Sequence, residues 1–243
     1  MRRQVRHIME RMIPMIRTSE GTRACELCSE IVTDAPTVTG LAISVSNRIC
    51  FRSDRSVIMP SLGPLADGHL LLMPISHSTG LAFVDASGGG PVLSEIEAMT
   101  EFCRTQLGEP VLFEHGALSG AAAGGCGVTH AHLHAVPASK GAVPHGPPSL
   151  PGISWTEVQR TSWLHVARTV ALKSGSYLYY RDQCSCNYVA GVRTLPSQTM
   201  RRYIATCIGE PAWDWRAEPK TSAVQKSAEV IRQMAAPAGF EVA

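Results

Sequence analysis

Histidine alternates with small or apolar residues in the segment Thr129-His130-Ala131-His132-Leu133-His134-Ala135-Val136-Pro137. A period of two is typical of a β-strand, in which residues i, i+2 and i+4 share one face. The three imidazoles are therefore predicted to point to one side, and Ala131, Leu133 and Ala135 into a core. Three titratable rings on one strand do not favour the stability of the folded protein, because each ring needs hydrogen-bond partners and the protonated rings repel one another. The pattern favours a functional site.

The spacing of the three histidines limits what they can do together. At about 3.3 Å per residue, the Cα atoms of His130 and His134 would lie roughly 13 Å apart, too far for all three rings to close comfortably on one metal ion. A division of labour is expected, with one ring as ligand, one as nucleophile and one as donor to an anion. The alternatives are a structurally satisfied cluster and a metal-dependent hydrolase. The two-metal hydrolase pattern, however, continues with Asp and His, where this chain has His134 and Ala135.

The flanking sequence predicts a mixture of strands and helices. Strands are expected where short apolar or β-branched runs end at turn residues, over residues 38–51, 56–59, 69–74, 111–114, 176–181 and 188–192. Helices are expected where apolar residues recur at steps of three and four, over residues 91–107, 198–208 and 222–235. The proline- and glycine-rich segment 138–151 suits a connector. We therefore expect an N-terminal arm (1–20), a catalytic domain (21–140) and a C-terminal extension (141–243) packed on it.

Composition narrows the class of protein. With 243 residues, 44% of them apolar and 17% charged, the chain has ample material for one large core and little for a disordered chain. A formal net charge of +2 disfavours binding to bulk nucleic acid. No apolar run is long enough to cross a membrane, and no secretion signal is evident. Eight cysteines without such a signal suggest reduced thiols and a cytoplasmic protein.

The chain resembles the histidine triad superfamily in four segments that occur in the family's order. His130-Ala131-His132-Leu133-His134-Ala135-Val136 fits the family's signature of three histidines, each followed by apolar residues, at all seven positions. Cys25-Glu26-Leu27-Cys28 is similar to a CxxC that many members carry. The segment 67–74 resembles the Gly-His-Leu-Leu strand, and His77 the histidine that opens the next helix. Together these segments cover just under half of the chain.

The resemblance implies a fold, a reaction and site residues. The fold would be α+β, a HIT-like antiparallel sheet with flanking helices, usually in a homodimer, with an added α/β extension at the C-terminus. The family transfers or hydrolyses nucleotidyl groups at the α-phosphorus. His132 would attack phosphorus to form a nucleotidyl-histidine, and His134 would donate to a phosphate oxygen. Backbone amides of the loop Gly124, Gly125, Cys126 and Gly127 would bind the phosphate. The partner is thus a nucleotide or nucleotide conjugate with a phosphoanhydride, phosphoester or phosphoramidate bond.

A structural zinc site is the second implication. Cys25 and Cys28 offer two thiolates at the spacing of a structural site, and an isolated pair of ordinary thiols is the alternative. In the zinc-containing members that this chain resembles, His77 and His130 would be the other two ligands. The metal would then tie the N-terminal segment to the strand that carries His132.

The sequence departs from the family's pattern near the leaving group. Cys126 and Gly127 stand where many members have Gln and Ser, and Glu114-His115-Gly116 stands where they have Asn-x-Gly. The handling of the leaving group is therefore left open, with Glu114 or His115 as candidate acids. A metal-dependent hydrolase and a nucleotide-binding module without turnover stay as alternative functions.

Overall fold

The computed structural model describes residues 25–33, 45, 47–84, 93–118 and 129–243. Within these ranges there are five α-helices and one 3-10 helix. The helices are α1 (Glu26–Thr33), the 3-10 helix (Leu81–Phe83), α2 (Leu93–Gln106), α3 (Trp163–Ser174), α4 (Thr199–Ile208) and α5 (Thr221–Arg232). The strands are β1 (Phe51–Arg52), β2 (Ser56–Pro60), β3 (Leu70–Pro74), β4 (Pro110–Ala117), β5 (Leu133–Pro137), β6 (Thr156–Val158), β7 (Ser176–Arg181), β8 (Asn187–Val192) and β9 (Glu241–Val242).

The described strands form one nine-stranded sheet in the order β6-β8-β7-β4-β5-β3-β2-β1-β9. Every neighbouring pair in it is antiparallel. The predicted α+β class with an antiparallel sheet is thereby confirmed. The sheet continues across the proline-rich segment, because β7 pairs with β4 and β9 pairs with β1. The boundaries proposed at residues 20 and 140 stay predictions.

The two faces of the sheet are covered by different helices. One face packs against α2, α3 and α5 through residues such as Met99, Trp163 and Ile231. The other face packs against α4 over the middle of the sheet and against α1 over β2 and β3. Cross-strand register places Leu71 opposite His134 and Phe113 opposite His134. His134 therefore points to the face that α1 and α4 cover, and the candidate site lies between these two helices.

The strand predicted over residues 129–137 is shorter than expected. Only Leu133–Pro137 is strand, and residues 130–132 precede it. In this segment the amide of Ala131 donates to the carbonyl of Ser78 at 2.6 Å, so the backbone bonds to the loop after β3 instead of a neighbouring strand. The predicted alternation nevertheless holds for the apolar residues, since Ala131, Leu133 and Ala135 are buried in the core.

Other sequence predictions are met to different degrees. The helix expected over residues 91–107 is α2, and the strand pair expected in the C-terminal part is β7 and β8. The strand expected over residues 38–51 is met only at Phe51 among the residues that the structure describes there, and residues 38–44 and 46 lie outside the described residues. The arm 1–20 and the loop of Gly124 to Gly127 also lie outside them. In the described parts of the chain, no helix has the length and apolar character needed to cross a bilayer.

Candidate active site and metal centre

A cleft with about 530 Å³ of empty space, open to solvent, lies on the face of the sheet between α1 and α4. His132 and His134 line it, together with Leu27 and Glu30 of α1 and Arg201 of α4. The wall is otherwise mostly apolar, from Leu62, Leu71 and Trp215. Two of the three histidines in the motif thus share one cleft.

His132 is held by the backbone of the residue two positions before it. Its Nδ1 lies 2.6 Å from the carbonyl oxygen of His130, a distance at which Nδ1 must carry a proton and donate. In the neutral ring, Nε2 then keeps its lone pair. Burial lowers the pKa of His132, although the His130 carbonyl and the Glu114 carboxylate raise it. The ring is therefore favoured in the neutral form, with Nε2 as the basic atom.

His134 is the end of a chain of hydrogen bonds that sets its tautomer. The backbone amide of Leu65 donates to Nδ1 of His69 at 3.1 Å. His69 then carries its proton on Nε2 and donates to Nδ1 of His134 at 2.9 Å. Consequently His134 carries its own proton on Nε2, an atom that is buried and has no protein partner among the described residues. This leaves His134 with one N–H group ready to donate.

The same two rings are kept neutral by their surroundings. Burial lowers the pKa of His69 and of His134 well below the usual value, and nearby positive charge lowers both further. Phe113 stacks on His134 with ring centroids 4.3 Å apart and fixes the plane of the imidazole. His132 and His134 have ring centroids 4.9 Å apart. The arrangement therefore combines a basic nitrogen and a neutral donor at one cleft.

The third histidine of the motif turns away to a separate cluster. The ligand atoms of Cys25, Cys28, His77 and His130 all lie within 4.8 Å of one another. Nδ1 of His130 is 3.7 Å from Sγ of Cys25 and 3.3 Å from Sγ of Cys28, and Nδ1 of His77 is 3.2 Å from the same Sγ of Cys28. These four residues are close enough to bind a metal ion.

The donor atoms of this cluster fit a metal. Nε2 of His130 donates to the carbonyl of Pro74 at 2.8 Å, so Nδ1 presents its lone pair to the thiols. Such an outer hydrogen bond is the usual way a metal-binding imidazole is oriented. A hydrogen bond from Cys28 lowers the pKa of the Cys25 thiol to about 3, and the same bond raises the pKa of Cys28. The lowered pKa favours the thiolate form of Cys25, which is a good ligand for a thiophilic cation.

Charged residues from distant segments also line the cleft. Arg48 donates from Nε and Nη2 to both carboxylate oxygens of Glu30, at 2.8 and 2.6 Å. Both residues are buried, so this bidentate pair fixes α1 against the loop before β1. Arg201 enters from α4 and is only 1% exposed. These residues are far apart in the sequence and come together only through the fold.

Glu114 lies on the other face of the sheet from His134. Its carboxylate accepts the amide of Leu81 at 2.7 Å and the hydroxyl of Tyr177 at 2.5 Å, and it is 1% exposed. Burial raises its pKa to about 7 despite these two hydrogen bonds. This position argues against Glu114 as the acid for a leaving group bound beside His134. His115 lies 3.4 Å from the hydroxyl of Ser176 and lines a smaller cavity that His134 also lines.

Comparisons with known proteins add little to this geometry. A scan against protein-family models finds no match, and a search of curated proteins finds none either. Among solved structures, the chain is similar to a HIT family hydrolase from Clostridium thermocellum, with 18% identity and a TM-score of 0.35. That likeness covers 54% of this chain and 100% of the other chain. At a TM-score this low, the function has to be argued from the chain's own residues.

Proposed function

We propose that the protein is a nucleotide hydrolase or nucleotidyltransferase of the histidine triad type, which acts at the α-phosphorus of a nucleotide conjugate. The observation that carries this proposal is the pair of imidazole nitrogens at one cleft, a lone pair on Nε2 of His132 and an N–H on Nε2 of His134. When Nε2 of His132 attacks the phosphorus atom, the nonbridging oxygens of the phosphate would be within reach of a donor such as the N–H of His134.

The chemistry proceeds in two displacements. Nε2 of His132 forms a bond to phosphorus while the bond from phosphorus to the leaving group breaks and the leaving group takes the electron pair. The adduct carries a positive charge on the imidazole, and the Nδ1 proton that His132 donates to the His130 carbonyl stabilises it. Water or another acceptor then attacks phosphorus and releases its proton to solvent. The electron pair of the P–N bond returns to Nε2, and neutral His132 is restored.

His134 would stabilise charge without exchanging a proton. Its pKa lies well below the usual value, so the ring is neutral and donates from Nε2 to an oxygen that gains negative charge. The hydrogen bond from His69 keeps the proton on the atom that needs it. The amides of Gly124, Gly125, Cys126 and Gly127 are proposed as further donors to the phosphate.

We propose zinc as the occupant of the cluster formed by Cys25, Cys28, His77 and His130. Two thiolates and two imidazoles make a complete tetrahedral donor set with no position left for substrate, so the metal would be structural. The ring of His130 would bind the ion while the carbonyl of His130 accepts the proton of His132. The metal would thus hold the nucleophile in place through one residue. A homodimer in the cytoplasm stays part of the proposal, and sedimentation of the purified protein tests the dimer.

The alternative of a hydrolase with its metal on the motif is disfavoured by the distribution of ligands. Among the described residues, the group that could hold a metal contains His130 but neither His132 nor His134. A nucleotide-binding module without turnover would need no basic nitrogen beside the donor, whereas the tautomer of His132 supplies one.

The experiment is a substrate screen with a matched variant. Dinucleoside polyphosphates, nucleotide sugars and nucleoside phosphoramidates are assayed with the native protein and with His132→Asn, which can still hydrogen-bond to the His130 carbonyl but has no nucleophilic nitrogen. We expect turnover of at least one class by the native protein and a loss of roughly 10⁴-fold or more in the variant. Undiminished turnover by His132→Asn would refute the assignment, and binding without turnover by the native protein would favour the binding module.

A further inference from the structure

A glutamine beside the candidate active site carries a buried acceptor atom that lacks a hydrogen-bond partner. Gln198 immediately precedes α4, beyond the segments that resemble the triad family, and is 6% exposed. Its Oε1 is buried and has no partner in the part of the chain that the structure describes. Buried polar atoms in folded proteins nearly always have a partner, so this oxygen calls for a donor from outside the chain.

The direction of the Gln198 amide is set by a carboxylate. Nε2 donates to Oδ1 of Asp214 at 2.8 Å, and the same oxygen accepts the backbone amide of Arg216 at 3.0 Å. The hydrogen bond from Gln198 is the main cause that lowers the pKa of Asp214, so this carboxyl is ionised and only accepts. The NH2 group of Gln198 therefore faces Asp214, and Oε1 faces the other way.

Gln198 and His134 line one small cavity. It lies where the first turn of α4 meets β4, β5 and β7, and Phe113, Leu178 and Met200 form an apolar part of its wall. Nε2 of His134 is the buried N–H donor that also has no protein partner among the described residues. The cavity thus adjoins one unpartnered donor and one unpartnered acceptor.

This pair of groups selects the kind of molecule that fits the cavity. An anion such as phosphate would accept from His134, but it would bring negative oxygens against Oε1 of Gln198. Water is the smallest molecule that accepts from the first group and donates to the second, and buried waters are found where such polar partners meet. The cavity therefore suits a neutral hydroxyl donor close to the phosphate that His134 would hold.

We propose that Gln198 orients the water molecule that hydrolyses the nucleotidyl-histidine. The inference rests on the proposed function and names its acceptor. Of the two reacting imidazoles, His134 borders this cavity, whereas the described residues that line it do not include His132. A water held there would therefore approach phosphorus from a side that the nucleophile does not occupy, as the second displacement requires.

The step balances without any further reactant. One O–H of the water donates to Oε1 of Gln198 while the water oxygen forms a bond to phosphorus. The P–N bond breaks, its electron pair returns to Nε2 of His132, and the other proton of the water passes to solvent. The N–H of His134 stays on a nonbridging oxygen. The amide takes up no proton and acts by position alone.

Single-turnover kinetics with Gln198→Met separates the two displacements, because methionine has a similar length and no acceptor oxygen. A nucleotide conjugate labelled at the α-phosphorus is mixed with excess protein, and labelled protein is followed by rapid quench. We expect adduct formation within about 3-fold of the native rate and breakdown about 10- to 100-fold slower, so that the adduct accumulates. Equal slowing of both steps would mean a structural role and would overturn the proposal, as would breakdown at the native rate.

Gln159→Met is the matched control. Gln159 is exposed in the loop after β6 and belongs to neither cavity lining. Both steps should run at the native rate in this variant. A comparable slowing of breakdown in Gln159→Met would show that the effect is not specific to the cavity.

A second variant covers the case in which Gln198→Met does not fold. Gln198 has a φ of 61°, in the left-handed region that asparagine tolerates better than most residues. Gln198→Asn therefore suits the backbone, but its side chain is one methylene shorter and withdraws the oxygen from the cavity. Breakdown should slow at least about 10-fold in this variant. Native breakdown in folded Gln198→Asn would contradict the proposal.

A crystal structure of His132→Asn tests the water directly. We expect an ordered water within about 3.2 Å of Oε1 of Gln198, and a dry cavity would overturn the inference. Failure of the inference and failure of the proposed function look different. In the first case the adduct forms and decays at the native rate in Gln198→Met, and in the second the native protein turns over substrate without any adduct.

Discussion

Replacing Glu114 by glutamine should change how the stability of the protein depends on pH. Burial raises the pKa of this carboxyl from its ordinary value of 4.5 to about 7 in the folded state. Between these values the folded protein binds more protons than the unfolded chain, so the free energy of unfolding falls as the pH rises. The loss of stability caused by the charged carboxylate is absent below the pKa of Glu114 in the unfolded chain and complete above its pKa in the folded protein. Glutamine is uncharged and can keep partners at Leu81 and Tyr177.

The magnitude follows from the two pKa values. Each tenfold change in a proton equilibrium is worth about 1.4 kcal/mol, so charging Glu114 costs the folded state about 2 to 3 kcal/mol more at pH 8 than at pH 5. Relative to the native protein, Glu114→Gln should therefore gain about that much stability between pH 5 and pH 8. Effects of the substitution that do not depend on pH cancel in this difference between the two pH values.

Urea unfolding at the two pH values, at fixed salt and zinc, measures the effect. Glu157→Gln is the matched control, because Glu157 is exposed on β6, and it should show no comparable change. A difference between Glu114→Gln and the native protein that is the same at pH 5 and pH 8 would refute the reasoning. A gain in stability at pH 5 instead of pH 8 would show that the carboxyl is stabilised in its charged form.

Three further predictions concern other parts of the structure. The purified protein should contain about one zinc ion per chain. Loss of an outer hydrogen bond weakens metal binding roughly 10- to 100-fold, and Cys28→Ser should weaken zinc binding by more than that, as metal analysis after dialysis would show. A full complement of zinc in the variant would exclude Cys28 as a ligand. His69→Phe should lower kcat about 10- to 100-fold, because the tautomer of His134 is no longer set, whereas His69→Gln should lower it less; equal rates would contradict the relay. Gly116→Ala should destabilise the protein by about 1 to 3 kcal/mol, since a Cβ there would lie 2.3 Å from Cε1 of Tyr177; an unchanged unfolding midpoint would count against this packing.

Much of the fold was accessible from local patterns. The apolar steps of α2, the proline that ends β3, and the paired runs of β7 and β8 each depend on neighbours in the sequence, so they could be predicted. Helix α3 was missed although Trp163, Ala167 and Ala171 recur at steps of four on its buried face. The early part of the triad segment was predicted wrongly as strand, because its partner is a loop carbonyl at Ser78.

The candidate site, like the fold, could be predicted from the sequence only in part. The metal cluster could be predicted because the resemblance supplied two distant histidines for a recognisable CxxC, and the four residues do come together. The relay from His69 to His134 depends on how β3 pairs with β5, which the single sequence does not specify. Arg48, Glu30 and Arg201 reach the cleft through contacts between segments far apart in the chain.

A covalent nucleotidyl-histidine at His132 can be detected by chemical quench and mass spectrometry. Native protein is mixed with a nucleotide conjugate labelled at the α-phosphorus, quenched in alkali to preserve a P–N bond, and digested for mass spectrometry. We expect a nucleotidyl group on the peptide that contains His132, attached to that residue and absent from His132→Asn. Turnover with no adduct at any point of a rapid-quench series, or an adduct on His134 instead, would contradict it.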